Sequence, residues 1–346
     1  MDSHALLQYT VDCGASDLHL RVGVPPSVRL HGEMDVVEGK EFLTPSDTAT
    51  MVDQLVPREL RERLDQEMEI DFALELMGSE RFRANVFVER MGYGGVFRVI
   101  PRQIKTLEQL KMPPAVSELC RREKGLVLVT GPTGSGKSTT LAAMIDLVNQ
   151  ERRGHILTIE DPIEFVHSPN NCIVTQREVG SHTRSFEAAL RSALREDPDV
   201  ILVGEMRDLE TISLAITAAE TGHLVFGTLH TMSAPKSVDR IIDAFSADRQ
   251  EQIRTMLSES LEGVVTQTLL PTADGKGRAA AVEVLMVLPS IRNIIREAKT
   301  HQMPSIMQTG AAHGMITMEA AIEKLVASGA VTQEVANRRL ALGTAA

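Results

Sequence analysis

The pattern of hydrophobic residues differs between the first hundred residues and the rest of the chain. In the first hundred residues, apolar and polar positions alternate over short stretches such as Asp17–Val22 and Phe82–Val88. This alternation predicts strands with one buried face, and the Gly-Val-Pro-Pro turn at 23–26 predicts a hairpin. Short helical segments interrupt the strands, and Thr44 opens the first of them. Residues 1–100 are therefore predicted to form a small α+β domain with a mostly antiparallel sheet.

From Gly125 onward, short apolar runs alternate with helical patterns. The predicted strands are Leu126–Val129, Ile156–Ile159, Val200–Val203 and Leu224–Phe226. Such an alternation is typical of a parallel α/β sheet. The chain turns helical from Pro235, apart from a β-rich stretch at 279–288. We predict a second domain at 119–346 and, at 101–118, a linker that its prolines make semi-rigid.

The first of these strands runs directly into Gly131-x-x-x-x-Gly136-Lys137-Ser138, and a helical pattern follows from Thr139. A strand, a glycine-rich loop and a helix are the setting that a P-loop requires. Backbone N–H groups of such a loop surround phosphates, Lys137 reaches the β- and γ-phosphates, and Ser138 ligates Mg²⁺. The sequence thus predicts an ATP and Mg²⁺ site whose nucleotide contacts are Gly131, Thr133, Gly134, Ser135, Gly136, Lys137, Ser138 and Thr139.

Charged side chains follow each of the other three strands. Because ligands bind at the carboxyl ends of parallel strands, we expect these side chains around the phosphates. Glu205 is predicted to orient or deprotonate the attacking water; the alternative is an ion pair with Arg207. Gly204 stands where P-loop enzymes usually carry the Walker B aspartate. His230 follows its strand at the ligand end, whereas His223 precedes the same strand.

An acidic cluster follows the second strand. Together with Ser138, the carboxylates Glu160 and Asp161 are predicted to hold Mg²⁺ or its bound waters. Asp161 alternatively caps a helix that begins at Pro162. Glu164 belongs to the same cluster and is a candidate catalytic residue, and its residue type and position leave that role and a structural one equally open.

Two pairs of arginines are further candidates. Arg191 and Arg195 are predicted on one face of a helix capped by Ser185, where an ion pair with Glu187 is the alternative. Arg83 and Arg98 fall on paired strands of the first domain. An arginine presented from another subunit stabilises transition-state charge in phosphoryl transfer. The residues alone favour a solvated strand face for this second pair.

The composition narrows the possible partners. A net charge of −11, with 3% aromatic residues and no Trp, argues against binding to nucleic acid. Cys13, Cys120 and Cys172 lack metal or redox spacing and are typical of reduced cytosolic thiols. The sequence has no signal-peptide pattern and no apolar run long enough to span a membrane. We expect no direct membrane insertion, so that work at a membrane requires docking on a protein already there.

Four motifs carry a close resemblance to a known family. Gly131–Thr139, Ile156–Glu164, Asp199–Asp208 and Thr221–His230 resemble the Walker A, Asp, Walker B and His boxes of the secretion ATPases. Within that superfamily the chain resembles the PilT-type retraction ATPases of type IV pili, from Gly14 to about Ser328. The segment Ser290–Glu297 is similar to their Ala-Ile-Arg-Asn-Leu-Ile-Arg-Glu signature, with Ser at the first position and Ile at the fifth.

The resemblance implies a PAS-like N-terminal domain and a RecA-like ATPase domain with C-terminal helices. It implies a homohexamer with ATP between subunits, in which binding rotates one domain on the other. It further implies a cytoplasmic protein docked on an inner-membrane pilus platform protein. The roles implied are catalytic base for Glu205 and γ-phosphate contact for His230. Both arginine pairs match paired arginines of the family, which favours a catalytic role for Arg83, Arg98, Arg191 and Arg195.

Other functions remain open at this level. A small-molecule kinase would need an acceptor pocket and a lid, for which the sequence shows no insertion. A DNA translocase fits the core but not the charge, and a scaffold without turnover is opposed by Glu205 and His230. Pilus extension and type II secretion are the alternatives within the family. In the signature helix, Ile291, Ile294 and Ile295 are expected to face the core, and Arg292 and Arg296 to share a more exposed face.

Overall fold

The computed structural model describes residues 2–30, 32–76, 80–100 and 103–344. It separates into two compact units, each with its own hydrophobic core. The first comprises Met1–Gln103 and the short segment Pro162–Val166, and the second comprises Ile104–Asp161 and His167–Ala346. The predicted boundaries at 100 and 118 stay a prediction, and Pro101, where the predicted linker begins, lies outside the described residues.

The first unit is an antiparallel sheet with three helices. Its elements are α1 (Ser3–Asp12), β1 (Asp17–Leu20), β2 (Ser27–Leu30), β3 (Glu33–Val36), α2 (Pro45–Leu55), α3 (Arg58–Glu67), β4 (Glu69–Leu76), β5 (Glu80–Glu89) and β6 (Gly92–Ile100). The strand order is β3-β2-β1-β6-β5-β4, and every neighbouring pair is antiparallel. The predicted hairpin of β1 and β2 is confirmed.

Local sequence accounts for much of this unit. Thr44 and Asp47 form a reciprocal capping box that starts α2. Along β5, the alternating residues Phe82, Ala84 and Val86 are fully buried. From the sequence, the glycine-rich stretch Gly92–Gly95 predicts the turn after β5, but this prediction is wrong, because β5 and β6 are joined earlier and these glycines lie within β6. The Phe87 ring fills the space beside Gly94, where a Cβ would lie 2.6 Å from the ring.

The second unit is built on a mainly parallel sheet. Its elements are α4 (Pro114–Cys120), β7 (Gly125–Thr130), α5 (Lys137–Glu151), β8 (His155–Glu160), β9 (Ile173–Glu178), α6 (Phe186–Ala193), β10 (Val200–Val203), α7 (Leu209–Glu220), β11 (Leu224–Leu229), α8 (Ala234–Asp243), α9 (Gln250–Ser260), β12 (Leu261–Pro271), β13 (Arg278–Met286), α10 (Pro289–Arg296), α11 (Met303–Thr309), α12 (Met318–Ala327) and α13 (Gln333–Thr344). The strand order is β13-β12-β7-β11-β10-β8-β9, with only β13 antiparallel to its neighbour.

All four strands predicted from the apolar runs are confirmed as β7, β8, β10 and β11. Strands buried on both faces carry near-continuous apolar sequence, which is why these runs were visible without any alternation. The predicted fold class, a small α+β unit ahead of a P-loop α/β unit with C-terminal helices, is therefore confirmed. In the described part of the chain, no helix is both long and apolar enough to cross a bilayer.

Two predictions of helix extent are wrong. The helical spacing of Ile253, Leu257 and Leu261 predicts that they share one helix face, but Leu261 begins β12, a strand that periodicity did not reveal. The helix that Ser185 caps ends at Ala193, so Arg195 lies in the following turn and not on a helix face shared with Arg191. Its backbone N–H donates to the Ser192 carbonyl at 2.9 Å, a bond that tightens the chain beyond the helix end.

Candidate active site

The loop between β7 and α5 has the backbone of a phosphate cradle. Gly131, Gly134 and Gly136 have φ values of 141°, 75° and 89°, a region that favours glycine. A Cβ on Gly131 would collide with the Gln267 carbonyl oxygen and lie 2.7 Å from Ser135 Oγ. The loop leads into the N-terminus of the 15-residue helix α5, which adds positive potential. This arrangement suits the phosphates of a nucleotide.

Lys137 is the first residue of α5, and its side chain returns over the loop. Its Nζ donates to the carbonyl oxygens of Gly131 at 2.9 Å and Pro132 at 3.2 Å. The ammonium group is thus held at the rim of the cradle. A phosphate that entered the cradle would meet this charge directly.

Glu205 and His230 meet at the carboxyl ends of β10 and β11. His230 Nε2 lies 2.8 Å from Glu205 Oε1, and Arg207 Nε lies 2.5 Å from the same oxygen. Glu205 therefore contacts His230, which was predicted at the same edge of the sheet, and also Arg207, the ion-pair partner of the alternative interpretation. His223 lies at the other end of β11, where its Nδ1 contacts the Ala218 carbonyl at 2.9 Å.

Glu205 is held in its charged form. Burial by itself raises the pKa of this carboxyl, but the hydrogen bond and charge of Arg207, with a further contribution from His230, outweigh it and lower the pKa overall. The carboxylate also raises the pKa of Arg207 through the same hydrogen bond. At neutral pH the strand end therefore presents a carboxylate, the form that a proton acceptor requires.

Comparisons with known proteins identify the family of the chain. The family described as type II/IV secretion system protein matches residues 51–338. The chain belongs to this family. It is 50% identical to the type IV pilus retraction ATPase PilT of Pseudomonas aeruginosa, over 98% of both chains. It is 43% identical to the type IV pilus ATPase PilU of the same organism, over 96% of this chain and 87% of that protein.

A solved structure of the pilus retraction motor PilT with bound ADP superimposes with a TM-score of 0.90. The sequences are 47% identical, and the match covers 97% of this chain and 96% of that one. The N-terminal sheet and the P-loop unit are thus those of a secretion ATPase.

In this family member the acidic residues after β8 are divided between the two units. Glu160 Oε1 accepts hydrogen bonds from Thr158 Oγ1 at 2.7 Å and Gln176 Nε2 at 3.2 Å. Glu164 belongs to the first unit, where its carboxylate lies 3.6 Å from Arg83. Within the described ranges, no three His, Cys, Asp or Glu side chains are grouped as for a metal ion. A P-loop Mg²⁺ takes most of its ligands from phosphates and water, so it does not require such a group.

Arg83 and Arg98 lie directly opposite each other on β5 and β6. Like charges in this position repel, and a buried acid from a third strand offsets the repulsion. Asp17, which is 3% exposed, pairs with Arg98 on the β1–β6 ladder, and its Oδ1 accepts from Arg98 Nε at 2.7 Å. Arg191, in the other unit, pairs with Glu187 at 2.5 Å, as in the alternative interpretation of that residue.

Several residues that support the site were missed from the sequence. Thr228 Oγ1 donates to the Gly204 carbonyl at 2.5 Å, and the Met206 N–H donates to the Thr228 carbonyl at 3.1 Å. These bonds clamp the backbone on both sides of Glu205. Gln267 on β12 contacts the P-loop itself. The sequence feature that could have indicated Gln267 was the polar run Thr266-Gln267-Thr268 inside an otherwise apolar stretch.

The signature helix α10 fits its prediction only in part. Ile291, Ile294 and Ile295 are buried, as expected. Arg296 is exposed, whereas Arg292 is half-buried. Arg292 donates to the carbonyls of Ser258 and Glu259 and to the Glu262 carboxylate. The expectation of a shared exposed face is therefore wrong for Arg292, because this side chain ties α10 to the end of α9.

Proposed function

We propose that this chain is an ATP-hydrolysing motor that powers retraction of type IV pili. The observation that carries the proposal is the identity to the P. aeruginosa retraction ATPase along nearly the whole of both chains. The described site supports it, because a phosphate cradle and the Glu205–His230 pair follow parallel strands of one sheet.

In this proposal the P-loop holds the phosphates of ATP through the N–H groups of residues 131–139. The contacts are those predicted from the sequence, from Gly131 to Thr139, and the Lys137 ammonium exchanges its carbonyl partners for phosphate oxygens. Ser138, with Glu160 and Asp161 directly or through water, would hold Mg²⁺, which neutralises phosphate charge when bound.

Glu205 is the proposed base for the attacking water. Its lowered pKa keeps it ionised, and Thr228 fixes the backbone that presents it. His230, which lies 2.8 Å from this carboxylate, is proposed to orient it and to contact the γ-phosphate. Arg207 must release Glu205 for full basicity, because a carboxylate paired with an arginine is a weaker proton acceptor.

The arginines are proposed to complete the site in a hexamer with ATP between subunits. Arg83 and Arg98 of one subunit, and Arg191 and Arg195, would stabilise the charge that develops on the transferred phosphoryl group. Glu164 remains a candidate catalytic residue, and its carboxylate lies 3.6 Å from Arg83. Domain rotation on ATP binding would then drive a pilus platform protein on the cytoplasmic side of the inner membrane.

The direct test is complementation of a bacterium that has type IV pili and lacks its retraction ATPase. The chain should restore twitching on its own, whereas Lys137→Ala should fail because the phosphate contact is lost. Glu205→Ala should bind ATP, measured by equilibrium titration, but should not release phosphate.

Two results would redirect the proposal. Restoration of twitching only beside a second retraction ATPase would indicate an accessory role. Native phosphate release by Glu205→Ala would exclude this residue as the base.

A further inference from the structure

Strand β12 brings one buried amide against the phosphate loop. β12 runs parallel to β7, with Thr266 beside Thr130 at the last residue before the loop. The next residue, Gln267, is 1% exposed. Gln267 is not part of the P-loop motif, since it follows Gly136 by 131 positions in the chain.

Both polar atoms of the Gln267 side chain are used by the loop and its helix. Nε2 donates to the Ser135 carbonyl at 2.6 Å, and Oε1 accepts from Thr140 Oγ1 at 2.8 Å. These partners fix which end of the Gln267 amide is oxygen and which is nitrogen. The Ser135 carbonyl oxygen can only accept a hydrogen bond, so it must face the NH₂ group of Gln267. The hydroxyl of Thr140 then donates to the remaining oxygen.

Gln267 also limits the space around the two motif glycines. Its backbone carbonyl occupies the position that a Cβ on Gly131 would take, and its Nε2 lies 3.0 Å from the Cβ position of Gly136. One residue thus touches the start of the loop, its end and the first turn of α5. Burying an amide costs free energy unless its hydrogen bonds are made, and here they are made to the loop and to the first turn of α5.

We propose that Gln267 is a positioning residue that holds the phosphate loop in its binding conformation before nucleotide arrives. It fixes the Ser135 peptide relative to α5 and so limits the conformations that are open to the loop. Preorganisation of this kind raises affinity because less conformational freedom is lost on binding. The inference rests on the proposed nucleotide site and adds a residue to it.

The test compares ADP binding by the full-length protein and its variants, using a fluorescent ADP analogue. Gln267→Met keeps the volume but leaves the Ser135 carbonyl and the Thr140 hydroxyl without their partner. It should raise the dissociation constant roughly tenfold to hundredfold. At saturating ATP the turnover rate should fall less than the affinity. The matched control Gln252→Met makes the same change on the exposed face of α9 and should bind normally.

Gln267→Glu gives a signature that a merely structural role would not produce. Its carboxylate cannot donate to the Ser135 carbonyl, so binding should be weak at pH 8. Protonation restores a donor, and affinity should recover as the pH is lowered, which the unsubstituted protein should not show. If Gln267→Met does not fold, this pH profile decides the question.

Two outcomes separate the inference from the function on which it rests. If folded Gln267→Met, or Gln267→Glu at every pH, binds ADP within twofold of the unsubstituted protein while Lys137→Ala binds poorly, the positioning role is wrong. If Lys137→Ala itself binds ADP normally, the proposed nucleotide site is wrong.

Discussion

Replacing Arg292 by alanine should destabilise the fold, although the signature helix lies outside the phosphate site. The guanidinium makes three hydrogen bonds, at 2.8 Å to the Ser258 carbonyl, 2.7 Å to the Glu259 carbonyl and 2.7 Å to Glu262 Oε1. α9 ends at Ser260, so these carbonyls are among the last four of the helix and have no partner within it. A cation at a helix C-terminus also interacts favourably with the helix dipole.

The magnitude follows from these contacts. A hydrogen bond to a charged group contributes about 1.5–3 kcal/mol, and bonds that share one side chain do not add fully. The Arg292 side chain is 24% exposed, which limits solvent screening. We expect a loss of about 2–3 kcal/mol in the free energy of unfolding. For a unit of this size, that lowers the melting temperature by roughly 5–10 °C.

The assay is thermal unfolding of the full-length protein by circular dichroism, at one protein concentration and without nucleotide. Arg296→Ala is the matched control, since it removes an exposed arginine from the same helix and should change stability by less than about 0.5 kcal/mol. Arg292→Lys should fall between them, because lysine keeps the charge but cannot span three acceptors. Melting of Arg292→Ala within 1 °C of Arg296→Ala would refute this reasoning.

Three further predictions concern the site and its surroundings. Mixing Arg98→Ala with Glu205→Ala subunits should restore part of the ATPase activity if Arg98 acts in trans; confirmed mixed rings without activity would oppose a shared site. Gly204→Ala should slow ATP hydrolysis, because its Cβ would lie 3.1 Å from the Ile159 carbonyl and shift Glu205; an unchanged turnover rate would show that the backbone can adjust. Burial raises the pKa of Glu283 above its ordinary 4.5, although its carboxylate accepts from the Ala234 N–H. The contribution of Glu283 to stability is therefore full below pH 4.5 and is lost as the pH rises through the folded-state pKa. Relative to Glu283→Gln, the unsubstituted protein should lose stability between pH 4 and pH 8 in urea unfolding, and a constant difference would contradict this.

Elements with a local signal could be predicted from the amino-acid pattern alone. The P-loop is a contiguous strand, loop and helix, so Lys137 and its glycines could be recognised without knowledge of any other segment. The meeting of Glu205 with His230 was also predictable, because both follow apolar runs and parallel strands end at one edge of the sheet. Alternation also indicated that Arg83 and Arg98 lie on paired strands, but their register, which places them directly opposite each other, came from the structure, because the turn between the strands was mispredicted.

The hydrogen bonds between polar side chains of distant elements could be identified only from the three-dimensional packing. Asp17 reaches Arg98 across 81 positions, and Gln267 reaches Ser135 across 132, through a strand order that no periodicity encodes. Arg292 shows the same limit of sequence patterns. Arg292 and Arg296 lie one helical turn apart and were expected to be equally exposed, but only Arg292 contacts the end of α9. Hydrophobic periodicity reports which face of an element is buried, but not which neighbour buries it. The partners of buried polar side chains therefore follow from strand order and packing.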